Sequence, residues 1–128
     1  MSLISKGSDT MNSVEVTLTM KGQEELKETF KGEYNKKEEK LMIHDSKNKI
    51  NMTMDFKNKK LTRETEEFLL TIPFSKGKET TLTIELLDSK QVLELKVLTE
   101  IYEYKGRMLK VKYKMIESNE WIEYQIEF

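Results

Sequence analysis

The sequence predicts an all-β domain, an antiparallel up-and-down β-barrel of about eight strands occupying 13–128 as a single domain. Three observations predict it. Apolar residues recur at every second position through successive runs of the chain. The runs are divided by short segments rich in Asn, Asp, Ser, Gly and Lys, which tolerate turn dihedrals and water. No segment is long enough for a Greek-key crossover, so a barrel that closes its own edges is favoured over two packed sheets. At about eight strands the interior is just wide enough to be filled by side chains or to hold one small ligand.

The elements follow in order. "VEVTLTM" sets Val14, Val16, Leu18 and Met20 on one face, and "LKETFKGEY" does the same with Leu26, Phe30, Gly32 and Tyr34. "KLMIHD" is a short strand, and "INMTMDF" turns Ile50, Met52, Met54 and Phe56 inward. "LTRETEEFLLTIPF" changes parity near Glu66 and Glu67, which is read as one strand bent by a β-bulge. "TTLTIELL" points Leu82, Ile84 and Leu86 inward, and the long "QVLELKVLTEIYEY" has a second parity switch between Val97 and Tyr102. "MLKVKYKMI" and "WIEYQIEF" close the chain. A tip at Ser118 and Asn119 would set Met115 against Ile122, Tyr113 against Tyr124 and Lys114 against Glu123, matching apolar with apolar and plus with minus.

Composition narrows the function. Charged residues make up 35% of the chain yet nearly cancel, at a net charge of −1, which gives no electrostatic reason to expect nucleic acid or an anionic membrane. Cys is absent, which excludes disulfides, thiolate metal ligands and a thiol nucleophile. No apolar run is long enough to span a bilayer as a helix, and residues 1–12 read as a disordered segment or tag remnant lacking a signal peptide's apolar core. The expected location is the cytoplasm.

"LTMKG", "LTRETEEFLLTIPFSKGK" and "VLELKVLTEIYEYKGRMLKVKYKM", in that order, resemble the small YwiB-like bacterial proteins. The markers are Arg63 in mid-chain, Leu93, Leu95 and Val97 with Thr99, and Leu109, Val111 and Tyr113. "LLDSKQ" stands where that family often has an aromatic-glycine turn. The resemblance implies a calycin-type, lipocalin-like barrel. The family is uncharacterised, so it supplies no catalytic residue.

No enzyme is expected. His44 beside Asp45 is the only histidine and reads as a surface turn residue, the carboxylates are scattered, and the glycines lack phosphate-loop spacing. No metal or cofactor is expected. Met20, Met52, Met54 and Met115 fall on inward faces, either as core filler or as an adaptable ligand lining. Arg63 is open to three readings: a residue closing one barrel end, donating to tyrosine oxygens and balanced by Glu64 or Glu100; an anchor for a ligand; or an exposed side chain. Two functions are carried. One is a non-enzymatic carrier or sensor of a small, mostly apolar ligand lined by Met52, Met54, Phe56, Tyr113 and Tyr124 and anchored by Arg63. The other is a structural or protein-interaction module with a filled core, working through the surface around Trp121 as a homodimer.

Overall fold

The computed structural model describes residues 11–128. Of the leading segment expected over 1–12, residues 1–10 lie outside the described residues, while Met11 and Asn12 already pair with Asn35 and Tyr34.

Ten antiparallel strands form one closed ring: β1 (Met11–Lys21), β2 (Glu25–Asn35), β3 (Lys40–Asp45), β4 (Ile50–Asp55), β5 (Lys60–Glu64), β6 (Phe68–Pro73), β7 (Glu79–Leu86), β8 (Val92–Lys105), β9 (Met108–Met115) and β10 (Trp121–Glu127). Each strand pairs with its neighbours in sequence, and β1 meets β10 to close the barrel. The count corrects the expectation of about eight. The extra strand lies in "LTRETEEFLLTIPF", which is two strands and not one bent strand, with Arg63 opposite Leu70 and Glu64 opposite Leu69. The turn is built by Thr65, whose hydroxyl accepts the N–H groups of Glu67 and Phe68 at 3.1 Å each. A hydroxyl thus does the work usually given to Asn or Gly in a tight turn.

The second parity switch is a β-bulge. The β8–β9 register shifts between Thr99 and Ile101, leaving Glu100 as the extra residue. Thr99 is fully buried there, and its hydroxyl accepts the N–H of Ser75 at 3.2 Å.

Three consecutive hairpins share one turn chemistry at a ten-residue spacing. Asn35, Asp45 and Asp55 each end a strand and accept, through Oδ1, the N–H three residues on, from Glu38, Asn48 and Asn58 at 3.0, 3.1 and 3.0 Å. The following residues, Glu39, Lys49 and Lys59, take left-handed φ of 55°, 55° and 54°. Asn48 and Asn58 also donate Nδ2 to Oδ2 of Asp45 and Asp55, both at 2.8 Å. Such Asx turns fix loop length, and loop length fixes the register of the strands on either side.

Asp55 is 6% exposed. Burial alone would push its carboxyl up, but the hydrogen bonds from Asn58 and the charge of Lys40 outweigh it and hold the group below its ordinary 3.8. A carboxylate held low in the folded state stabilises the fold above that value and loses this contribution as pH falls. Asp55→Ala is therefore expected to cost about 2 kcal/mol near neutral pH. The gap to the parent should narrow by about pH 3, as urea unfolding at the two pH values would show.

The last hairpin differs from expectation in register. Asn119 adopts a left-handed φ of 62° and donates its N–H to the Met115 carbonyl at 2.8 Å, so the loop spans four residues instead of two. Tyr113 then faces Ile122, Tyr124 faces Val111 and Lys112 faces Glu123. The slip is an even number of residues, so every side chain keeps its face, and Glu117 no longer opposes Glu120.

The core fills the middle of the barrel. Val16, Leu41, Met54, Ile72, Val97, Leu109, Val111 and Ile126 are each no more than 1% exposed. Burying such side chains contributes roughly 1.5–3 kcal/mol each.

Candidate functional site

The two ends of the barrel are built differently. At the end carrying the β2–β3, β4–β5 and β8–β9 loops, aromatic rings plug the interior. Phe56 stacks on Tyr104 at 4.1 Å and 8°, and Phe128 lies 5.5 Å from Phe56 and 5.0 Å from Tyr34. Arg107 covers this plug, its guanidinium carbon 5.2 Å from the Phe128 ring centroid and 5.9 Å from that of Tyr34. Nearby, burial pushes the Tyr102 hydroxyl up to about 12.

The opposite end is open, because strand stagger leaves part of the ring unpaired. β2 bonds to β3 only from Lys31 onward, so Glu25–Phe30 have no β3 partner and stand away from the β3–β4 hairpin. Behind this gap lies a cavity of about 160 Å³. Its walls are Leu18 and Met20 from β1, Leu26 and Phe30 from β2, Ile43 and Met52 from β3 and β4, and Ile50 and Tyr124. Glu28, Asp45 and Asn48 also line it, and Arg63 lines it from β5.

Arg63 shares the inward face of β5 with Leu61, opposite Met52 and Leu70 on the flanking strands. Its Nε is buried with no hydrogen-bond partner among the described residues. The carboxylates expected to balance it do not. Glu64 is exposed, on the opposite parity of β5, and Glu100 bonds to Lys112 at 3.6 Å. Burial and the neighbouring Tyr124 push the Tyr113 hydroxyl up, and the Arg63 charge opposes that shift. Arg63 is half-buried, and a polar group buried without a partner is costly, so its Nε–H is set up to donate to an acceptor brought into the cavity.

Of the residues named from sequence, Arg63, Met52 and Tyr124 come together at this cavity. Tyr113 is 2% exposed and stacks on Tyr124 at 6.1 Å, one layer behind the wall. Met54 is fully buried in the mid-barrel core, and Phe56 belongs to the aromatic plug at the other end. Leu18, Met20, Leu26, Phe30, Ile43 and Ile50 supply the rest of the apolar lining; inward parity marked Leu18, Met20, Leu26, Phe30 and Ile50 without setting them at this end. Trp121 is 44% exposed on the outer face, opposite Lys114, with the Lys112 ammonium 4.8 Å from its ring centroid. His44 lies outside the barrel, Nδ1 2.9 Å from Asn51 Oδ1 and Nε2 3.7 Å from Glu33, while Asp45 turns to Asn48, so no His-Asp pair forms. Among the described residues no cluster of three His, Asp or Glu could hold a metal ion.

Comparison with known proteins gives one informative likeness. The crystal structure of ywiB protein from Bacillus subtilis superposes with a TM-score of 0.62 at 15% identity, covering 94% of this chain and 96% of that one. The chain has a YwiB-like fold. No family model matches it, and no curated protein does. At this identity the likeness concerns the backbone, so the YwiB-like barrel provides the frame and the cavity has to be argued from its own residues.

Proposed function

We propose that this protein is a non-enzymatic carrier or sensor of a small, mostly apolar ligand, held in the open-end cavity with Arg63 as its polar anchor. The observation that carries the reading is the buried, partnerless Nε of Arg63 in an otherwise largely apolar cavity of about 160 Å³. Ligand sites of this kind combine apolar walls with a few placed polar groups. The volume is modest: an apolar cavity of about 150 Å³ holds a molecule the size of benzene. The classification of the barrel as calycin-like, and membership of the YwiB-like family, belong to the same proposal. They are supported by the up-and-down ring and by the inward place of Arg63, one of the family's markers.

Native mass spectrometry of protein purified from cells tests the reading, with a bound small molecule as the expected result. A ligand-free spectrum at twice the chain mass would favour the interaction module instead. That second reading is supported by the exposed Trp121 and Leu26, which line one shallow hollow beside the β1–β2 turn. Arg63→Leu should lose the bound molecule while leaving the barrel equally stable or about 1–2 kcal/mol more stable, because it removes a partly buried charge that has no partner. A clear loss of stability with the ligand retained would return Arg63 to a purely structural role.

A further inference from the structure

The cavity's charge pattern goes further than its polarity. We infer that the ligand is a small monocarboxylate, bound carboxylate-first against the Arg63 guanidinium with its apolar body against Leu18, Met20, Phe30 and Met52. This rests on the carrier reading above and specifies the class of molecule carried. A guanidinium is a planar fork whose N–H groups match the two oxygens of a carboxylate, and such charge-assisted pairs are roughly twice as strong as neutral hydrogen bonds. A neutral ligand would offer the Arg63 Nε–H, which has no hydrogen-bond partner among the described residues, only an uncharged acceptor.

The other charged groups on the lining are negative. Glu28 and Asp45 line the same cavity, and no lysine does. Asp45 is held in place through both oxygens by Asn48, at 3.1 Å from its N–H and 2.8 Å from its amide. These hydrogen bonds hold its carboxyl below 3.8, so it stays ionised near neutral pH. A dianion such as a phosphate monoester would meet the carboxylates of Glu28 and Asp45 with only Arg63 to offset them, whereas a monocarboxylate reaching Arg63 carries the least charge past them. The volume of about 160 Å³ limits the apolar body to a short chain or a single ring.

Isothermal titration of the full chain with hexanoate, hexanol, hexyl phosphate and hexylamine, which share one apolar body, tests this. Hexanoate should bind at least about tenfold more tightly than the other three. Arg63→Leu should abolish that preference while still binding hexanol, and Arg63→Gln, which keeps polarity without charge, guards against a folding artefact. Equal binding of hexanoate and hexanol by the parent would overturn the carboxylate inference and leave the carrier reading standing. Tighter binding of hexyl phosphate or hexylamine would also overturn it. If none of the four binds and no small molecule co-purifies, both readings fail.

Discussion

Gly32→Ala is expected to lower the melting temperature by roughly 10 °C. A Cβ at this position would sit 2.6 Å from the Met42 carbonyl oxygen and 2.8 Å from Val16 Cγ2. The first of these neighbours is backbone of the adjacent strand and cannot rotate away. Overpacking of this kind costs typically 1–3 kcal/mol and sometimes more, and a clash with β-ladder backbone belongs at the upper end. Gly32 sits where β2 leaves its free outer half and joins β3, with Ile43 opposite, and a glycine in a strand interior often marks such a close approach. Thermal unfolding followed by circular dichroism measures the effect. A loss of under about 1 kcal/mol would mean that β2 relaxes there, and that the bend does not depend on the missing side chain.

Phe56→Ala should cost about 3–5 kcal/mol, as full truncation of a buried aromatic does. Phe56 is 5% exposed and is the shared neighbour of Tyr104, Tyr34 and Phe128, so removing it leaves three rings without a common partner. Urea unfolding gives the stability change. Ligand retention at temperatures where the variant stays folded should match the parent, since Phe56 is at the opposite end from the cavity. The contrast with Arg63→Leu is diagnostic: one substitution affects stability and spares binding, the other the reverse. If Phe56→Ala released the ligand without a stability loss, the division of the barrel into a plugged end and an open end would be wrong.

The alternation of apolar residues made the up-and-down barrel legible, because a period of two directly reports which face each side chain occupies. It could not report height along the barrel axis, which depends on strand stagger. Met52 and Met54 look alike in sequence, yet one lines the cavity and the other is in the core, and Phe56 on the same strand pattern ends up in the opposite plug. The same alternation placed Arg63 at an inward position but left an exposed side chain open as a reading, and its missing counter-ion was not legible, since sequence does not say whether Glu64 beside it or Glu100 far along the chain reaches its guanidinium.

The strand count failed where turn chemistry was unfamiliar. A parity switch is compatible with a bulge or with a tight hairpin, and Thr-Glu-Glu carries none of the Asn-Gly or Gly signals that separate them. The same switch in β8 is a bulge. The Asx turns carry a sequence signature: Asp45 with Asn48 and Lys49, then Asp55 with Asn58 and Lys59, repeat after ten residues. Asn119 shifted the last register by the same left-handed geometry that Lys49 and Lys59 adopt.

The ring closure has a consequence for how the chain reaches this state. Nine of the ten ladders join strands adjacent in sequence and can zip up from local turns, several of them preset by Asx chemistry. The tenth joins β1 to β10, the two strands furthest apart in sequence, with no turn between them to preset it, and it rests on only five residue pairs, Thr17–Lys21 with Glu127–Glu123. Closure is therefore expected to come late in folding, after the local ladders have formed. Until it happens, β1 and β10 present unpaired edges, and crowded chains at that stage are liable to pair with each other instead of with themselves.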